Sequence, residues 1–278
     1  MKVVYLLPKM IDAGTRNVDD DWSLVVDLTD NLDSIVSQFA CKDIERMENS
    51  YGKYIRATYM VDIIQKRKRC DVDEAFRILK EDNNKQGEYY EKELNDIEDS
   101  LPNSDEKEFD KNDFHEMLEF FPEKDYFDMF VHVLEKSNLG SYQYRYLREF
   151  IDSVCMKNSP SMLMADSRSK RHPRRGALGS KLLETLVQLL VLKEKPNGGY
   201  ETTSLSIDEL AAAIRKRYGL IINGISEERF ADGDVEMNAA FAANMDAFKN
   251  KLRQIGFYTD MSDACILQKI RPRYKLED

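Results

Sequence analysis

The chain contains no long apolar run. Its longest apolar stretch covers 182–192 and is interrupted by Glu184, so it is too short for a membrane span, which needs about twenty apolar residues. The first eight residues, from Met1 to Pro8, are too few for the apolar core of a secretory signal. These shortages predict a cytoplasmic protein.

Cysteine and histidine are scarce. The four cysteines, Cys41, Cys70, Cys155 and Cys265, are widely scattered and form no CxxC pair, which excludes a disulfide framework or a zinc ribbon as the organising feature. The histidines are His115, His132 and His172. Asp128 and His132 have the i, i+4 spacing of a shared metal, but a metal site needs at least three supported ligands. We therefore predict no metal and no cofactor.

Local catalytic motifs are also lacking. The sequence contains no GxSxG, HExxH or local Cys/His dyad. The segment from Gly176 to Lys181 is similar to a phosphate loop, but its residue order is wrong and basic coil is expected before it. It is therefore predicted to be a loop that enters a helix. Asp27, Asp30 and Asp33 follow a predicted strand, and we interpret Thr29 or Asp30 as a helix N-cap. An enzyme whose residues converge only in three dimensions stays an alternative.

Charge is distributed unevenly. The net charge is −10, but residues 88–128 hold 16 acids against 4 lysines, whereas 168–278 hold 19 Lys and Arg against 15 acids. A local basic face is compatible with an acidic chain, since salt screens charges beyond about 10 Å. The composition therefore excludes a protein that coats nucleic acid and leaves local contact open.

The first 156 residues are predicted to form an acidic, mostly helical domain with a small β element. Val3–Leu7 and Ser23–Leu28 are predicted strands. Helices follow at about 43–68 and 72–80, the second with Asp71 as N-cap, and later at about 142–154. The aromatics of 109–130 have clean helical spacing, which favours core packing over a docking surface. Tyr142, Tyr144 and Tyr146 alternate with arginines in a way that suits base stacking, but an ordinary amphipathic helix is the simpler interpretation.

A basic linker is predicted over 157–176. This range contains two prolines and, at its end, Gly176, and its run from Arg168 to Arg175 is basic. The functional interpretation of that run is contact with nucleic acid. The alternatives are a solvated linker or pairing with the acidic segment of the same chain.

The last hundred residues, 177–278, are predicted to fold as three helices and a hairpin. The first helix, about 177–193, is apolar on nearly all sides, which is typical of a buried helix. The second begins at a capping box, Ser206 to Glu209, and ends before Gly219. An acidic connection covers 220–237. The third runs from about Asn238 to Ile255, and 257–270 are predicted to form a hairpin.

This order of elements resembles the winged-helix superfamily. The resemblance implies a mainly α fold with minor β content, in which the third helix enters the major groove and the hairpin touches backbone or minor groove. By position, Asn250, Arg253 and Gln254 would meet base edges, and Lys249, Arg271 and Arg273 would meet phosphates. The basic run adds Arg171, Arg174 and Arg175. The long acidic connection departs from the usual tight turn.

The sequence therefore predicts a non-catalytic subunit that binds double-stranded DNA or docks on a DNA-acting complex. The combination resembles accessory proteins of bacterial defence or restriction loci. The first alternative is a protein adaptor that uses its winged helix and its acidic aromatic region, because fold does not fix function. In both cases we expect one or more protein partners and no membrane contact.

Overall fold

The protein is mainly α-helical with very short strands, as predicted. The computed structural model describes residues 1–19, 22–81, 87–102, 110–119, 121, 125–137, 140–156, 162–165, 173–258 and 269–270. Its helices are α1 Lys2–Ala13, α2 Ile35–Glu48, α3 Tyr51–Lys68, α4 Val72–Lys80, α5 Gly87–Ser100, α6 Lys111–Glu119, α7 Tyr126–Ser137, α8 Gly140–Cys155, α9 Ser180–Leu190, α10 Ile207–Tyr218 and α11 Val235–Gln254. Its strands are β1 Leu24–Val25, β2 Met164–Ala165, β3 Arg175–Gly176, β4 Leu192–Glu194, β5 Tyr200–Thr202 and β6 Leu220–Ile221.

The chain divides into two compact units. Unit 1 comprises Met1–Asp21 and Met47–Phe150, and unit 2 comprises Trp22–Arg46 and Ile151–Asp278. The division into domains at 1–156 and 177–278 with a linker between them stays a prediction. The observed units differ from it in grouping the early segment 22–46 with the C-terminal part of the chain.

Unit 1 is built from helices that pack through aromatic and aliphatic side chains. The predicted strand Val3–Leu7 is wrong, because these residues form the first turns of α1, with Val4, Leu6 and Ile11 buried. A run of five apolar residues is compatible with a strand or with a helix. Here burial against neighbouring helices stabilises the helix. Asp71 caps α4 as predicted, its side chain accepting a hydrogen bond from Glu74 N at 2.8 Å.

The aromatic residues of the acidic region fill the core of unit 1, as the helical spacing predicted. The Tyr90 ring lies 5.1 Å from Phe127 and 5.5 Å from Phe130, centroid to centroid. Phe114 and Met117 are buried in the same cluster. The intervening acids on α5 and α6 are mostly exposed, so in the described part of this region the apolar face is turned inward and the charges face water.

Unit 2 is organised around β1, which is buried between two neighbours. β1 pairs in parallel with β6, and Asp27 forms a parallel bridge with Ala177 on its other side. β2 pairs antiparallel with β3. Gly176 is required at this crossing, because a Cβ there would lie 2.2 Å from the carbonyl oxygen of Val25. Buried side chains from α2, α11 and the 3₁₀ turn Glu228–Phe230 cover the strands: Val36, Ala40, Phe230, Met237 and Phe241.

The C-terminal helices agree with the prediction except for the first. The first helix ends at Leu190 and the chain continues into a hairpin, β4–β5. Its predicted burial on nearly all sides is wrong, because burial is confined to Leu183, Leu186 and Val187. The capping box of α10 is complete, and Gly219 ends that helix with φ 71°. Residues 259–268 of the predicted final hairpin lie outside the described residues.

Candidate nucleic-acid interface

Helix α11 carries four of the predicted contact residues, and its sequence explains its length and which side it buries. Its N-cap is Asp234, whose side chain accepts from Met237 N at 2.8 Å. Gly256, with φ 81°, follows the last turn. One side of the helix is buried through Met237, Phe241, Met245, Phe248 and Leu252. The helix is therefore about 30 Å long, with its apolar side fixed to the core.

Asn244 fastens α11 to the strands beneath it. Its Nδ2 donates to Val26 O at 3.0 Å and to Ile222 O at 2.8 Å, while its Oδ1 accepts from Leu28 N at 2.8 Å. As a polar residue Asn244 would be expected on the solvent face of α11, but its side chain is fully buried. Its side chain forms hydrogen bonds with backbone groups where β1 and β6 end. Helical periodicity alone cannot identify such distant partners.

The other predicted residues of α11 lie together at its C-terminal end. Asn250, Arg253 and Gln254 are exposed, and Lys249 is partly exposed. Two contacts fix their side chains, one from Lys249 Nζ to Asp246 Oδ1 at 3.2 Å and one from Arg253 Nη1 to Asn250 Oδ1 at 2.7 Å. The Arg253 guanidinium also lies 5.7 Å from the centroid of the Tyr258 ring. The structure thus brings four of the nine predicted residues to one surface.

The two described arginines of the basic run are engaged within unit 2. Arg174 pairs with Asp152 at 2.6 Å, with only 16% of its side chain exposed. Arg175 is buried, and its guanidinium contacts the carboxylates of Asp27 and Asp30. A phosphate would have to displace a carboxylate to reach either one. Arg171, Arg271 and Arg273 lie outside the described residues.

Arg175 is the centre of a charged cluster at the carboxyl end of β1. Asp27 has a fully buried side chain whose Oδ2 accepts from Arg175 Nε at 3.0 Å and whose Oδ1 accepts from Thr29 N and Oγ1. Asp30, with φ 55°, pairs with the same guanidinium. The predicted N-cap at Thr29 or Asp30 is therefore wrong, because α2 begins only at Ile35. The two aspartates are engaged in binding Arg175, which joins two distant segments of the chain.

A second cation, Lys251, lies on the buried side of α11 near this cluster. Its Nζ donates to the carbonyl oxygen of Leu178. Burial lowers the pKa of Lys251, and the negative charges of Asp30 and Asp27 oppose that shift. Burial likewise raises the pKa of the Cys41 thiol. Sequence reasoning missed Lys251, since nothing in the order of residues distinguishes it from the exposed Lys249 two positions earlier.

The other sequence motifs have structural roles. His132 and Asp128 form no metal pair, because Arg56 lies between them, 2.5 Å from Asp128 Oδ1 and 3.5 Å from His132 Nδ1. Within the described ranges, no group of three or more His, Cys, Asp or Glu side chains is placed to hold a metal ion. The segment 176–181 starts with the last residue of strand β3, Gly176, and α9 begins at Ser180, as expected for a loop entering a helix.

Among the described helices, none combines the length and the apolar character that crossing a membrane would require. Comparison with curated proteins gives no match, and comparison with solved structures gives none either. A family model does match, over residues 1–274, and its description is "Methylation-associated defense system protein MAD7". Because the match covers nearly the whole chain, this protein belongs to the family of methylation-associated defence system protein MAD7.

Proposed function

We propose that this protein is a non-catalytic, DNA-binding subunit of its methylation-associated defence system. The observation that carries the proposal is the C-terminal half of α11, where Lys249, Asn250, Arg253 and Gln254 share one surface. Arginine and lysine suit guanine edges and phosphates, and asparagine and glutamine suit adenine edges. Membership of a defence system makes nucleic acid a reasonable target for such a surface.

The rigidity of α11 supports this assignment. A helix that reads a groove has to be held firmly, because a loosely held side chain gains little from a directional hydrogen bond. Here the helix is fixed by Asn244 and by the buried Phe241 and Phe248, all on the side away from the proposed contact. DNA would therefore meet the side chains without displacing any part of the described core.

The side-chain charges favour the C-terminal half of α11 as the proposed contact. The N-terminal end carries Asp234 and Glu236, which are exposed and would repel phosphates. Helix-turn-helix proteins usually contact bases through the N-terminal residues of the recognition helix, so we propose a shallower approach here. Part of the acidity before α11 is already neutralised, since Arg215 forms a two-pronged pair with Glu227 at 2.7 and 2.9 Å.

We also propose that 177–278 form a winged helix. Helices α9, α10 and α11 follow in the expected order. Beyond the segment 259–268, Lys269 bridges Ser206 in antiparallel fashion, and Ile270 N donates to Leu205 O at 2.7 Å. Phe257 and Tyr258, before that segment, are buried. The described residues on both sides of the segment 259–268 are therefore anchored, which is compatible with the predicted hairpin, and Arg271 and Arg273 follow directly in the sequence.

The test is titration of a fluorescent DNA duplex with the full chain, read by anisotropy over a series of salt concentrations. The double variant Lys249→Glu/Arg253→Glu should abolish binding, because it reverses two charges at the contact. The matched control is Lys53→Glu/Lys68→Glu, which makes the same charge change on exposed positions of α3 in unit 1. For the unaltered chain, the logarithm of affinity should fall linearly with the logarithm of salt concentration.

Three results would refute the proposal. The first is the absence of binding at about 50 mM salt, where phosphate contacts are strong. The second is equal binding by the α11 variant and its control, which would move the contact elsewhere. The third is cleavage or modification of the duplex by the purified chain, which would contradict a non-catalytic role.

A second candidate function, a protein adaptor, is favoured by the charge of unit 1. Counting Lys and Arg against Asp and Glu, Met1–Asp21 and Met47–Phe150 together carry the full net charge of −10, which leaves unit 2 neutral. The excess negative charge of unit 1 would repel DNA and attract a basic protein. The adaptor function predicts no duplex binding, together with salt-sensitive co-purification with another protein of the same defence system. Glu91→Gln/Asp96→Gln, on the exposed side of α5, should weaken that association.

A further inference from the structure

Arg253 is held at the C-terminal end of α11 by contacts on two sides. Its Nη1 donates to Asn250 Oδ1 at 2.7 Å, and its guanidinium lies 5.7 Å from the centroid of the Tyr258 ring. A guanidinium within about 6 Å of an aromatic ring is attracted to it. Tyr258 is only 2% exposed, whereas Arg253 is exposed. A buried ring and an amide oxygen therefore orient a guanidinium that lies at the surface.

The backbone after α11 brings the Tyr258 ring into position. Gly256 has φ 81°, in the left-handed region, and its N–H donates to Arg253 O at 3.0 Å. Phe257 N donates to Leu252 O at 3.0 Å, which closes the end of the helix. Because the chain turns at Gly256, Tyr258 lies beside the last turn of α11. The support for the guanidinium is thus part of the fold of unit 2.

The contact with Arg253 changes what Asn250 can do. An asparagine that reads adenine donates from Nδ2 to N7 and accepts at Oδ1 from N6. In this protein Oδ1 of Asn250 already accepts from Arg253. Reading adenine would break that contact and release the guanidinium, so Asn250 is better placed to position Arg253 than to meet a base itself. This differs from the sequence-based expectation, in which both residues meet base edges.

Of the two cations at this end of α11, Arg253 is the better suited to a base. A guanidinium carries five N–H donors in a planar fork, which matches the O6 and N7 acceptors of guanine. Lys249 is a compact point charge, and its Nζ contacts Asp246 Oδ1 at 3.2 Å. The chemistry of Lys249 therefore suits a phosphate oxygen, for which no planar fork is needed.

We propose that Arg253 reads one guanine in the major groove through O6 and N7, and that Asn250 and Tyr258 position its guanidinium. This inference rests on the DNA-binding function proposed above and names the duplexes that it favours, those with a G·C pair opposite the end of α11. A side chain already held in its binding geometry loses less conformational freedom on association. Arg253 is therefore the specificity-determining residue, and Asn250 is a positioning residue.

Selection from a pool of duplexes identifies the preferred site. The full chain is mixed with duplexes that carry a randomised core of about twelve base pairs, roughly one helical turn, and the bound fraction is sequenced. One position should be fixed as G·C. The selected duplex is then compared with a copy in which that guanine is 7-deazaguanine, which lacks the N7 acceptor. For the unaltered chain, the modified duplex should bind more weakly by about fivefold or more.

Variants of the positioning residue separate orientation of Arg253 from general contact with DNA. Asn250→Ala removes the oxygen that holds the guanidinium, so the ratio of the two affinities should fall toward one, as it should in Arg253→Ala. Asn250→Asp keeps an acceptor oxygen at the same place and should keep most of the ratio, although its negative charge weakens binding to both duplexes. Asn238→Ala makes the matched change at an exposed position near the start of α11 and should leave the ratio unchanged. Far-UV circular dichroism confirms that each variant is folded.

The inference is overturned if the chain binds the pool without fixing a G·C pair, if 7-deazaguanine binds as tightly as guanine, or if Asn250→Ala retains the full ratio. Each of these results leaves DNA binding itself intact. Failure to retain any duplex at about 50 mM salt would instead refute the DNA-binding function, and this inference with it.

Discussion

Replacing Asn244 with alanine should destabilise unit 2 more than any other single polar substitution on α11. The change removes hydrogen bonds to Val26 O, Ile222 O and Leu28 N, all made by one buried side chain. A single hydrogen bond contributes about 1 kcal/mol net, and a buried backbone group left without a partner costs about 1–3 kcal/mol. Because three backbone groups lose their partner at once, we expect the free energy of unfolding to fall by about 3–5 kcal/mol.

Tryptophan fluorescence can measure this loss of stability. Trp22 is the single tryptophan, and it is buried in unit 2. Its fluorescence during urea denaturation therefore follows the unit that contains Asn244. With a slope of about 2 kcal/mol per molar urea, the expected loss moves the midpoint down by about 1.5–2.5 M.

Asn250→Ala is the matched control, because it makes the same chemical change at an exposed position of the same helix. Its midpoint should stay within about 0.3 M of the unaltered chain, since surface substitutions usually change stability by less than about 0.5 kcal/mol. If Asn244→Ala and Asn250→Ala give equal midpoints, Asn244 does not hold α11 to the strands, and the argument for a rigid contact helix loses its basis.

Two further predictions concern the buried charges. Arg175→Met should lower the free energy of unfolding of unit 2 by about 3–5 kcal/mol, because it leaves the buried carboxylate of Asp27 without its cation. Adding Asp27→Asn removes the unpaired charge and should recover much of the lost stability. A double variant that is no more stable than Arg175→Met would refute a role for charge. Burial, followed by the positive charge of Arg56, lowers the pKa of His132, so the unfolded chain takes up this proton more readily than the folded one. Stability of unit 1 should therefore fall as the pH drops below about 6.5, and His132→Gln should flatten that dependence in thermal melts followed by circular dichroism.

Local signals in the sequence predicted the parts of the fold that depend on neighbouring residues. The capping box at Ser206, the N-cap at Asp71 and the helix terminator Gly219 are all predicted from spacings of a few residues. The helical spacing of Phe114 and Met117 correctly predicted their burial. In each case the physical cause lies within one or two turns of helix, so one sequence contains it.

Features that depend on distant partners could not be predicted in this way. Arg175 looks like one more residue of a basic run until Asp27, 148 positions earlier, is placed beside it. Asn244 lies beside the apolar stripe of α11, three residues after Phe241 and four before Phe248, but the backbone groups that it binds lie 22, 216 and 218 positions away. Lys249, Asn250, Arg253 and Gln254 lie close together because one helix holds them all, and their role in contacting DNA stays a prediction.

Unit 2 is formed by two separate stretches of the chain, and this affects its folding during synthesis. β1 leaves the ribosome early, but its partners Gly176 and Ile221 are synthesised about 150 and 200 residues later. Until then this apolar strand has no sheet to join, and an unpaired strand is a site of aggregation in a nascent chain. A C-terminal fragment starting near residue 168 would lack the strand altogether, together with the carbonyl and amide groups that Asn244 binds. Truncation would therefore remove backbone groups to which α11 is bound. Substitutions in the full chain test the function of α11 without this loss.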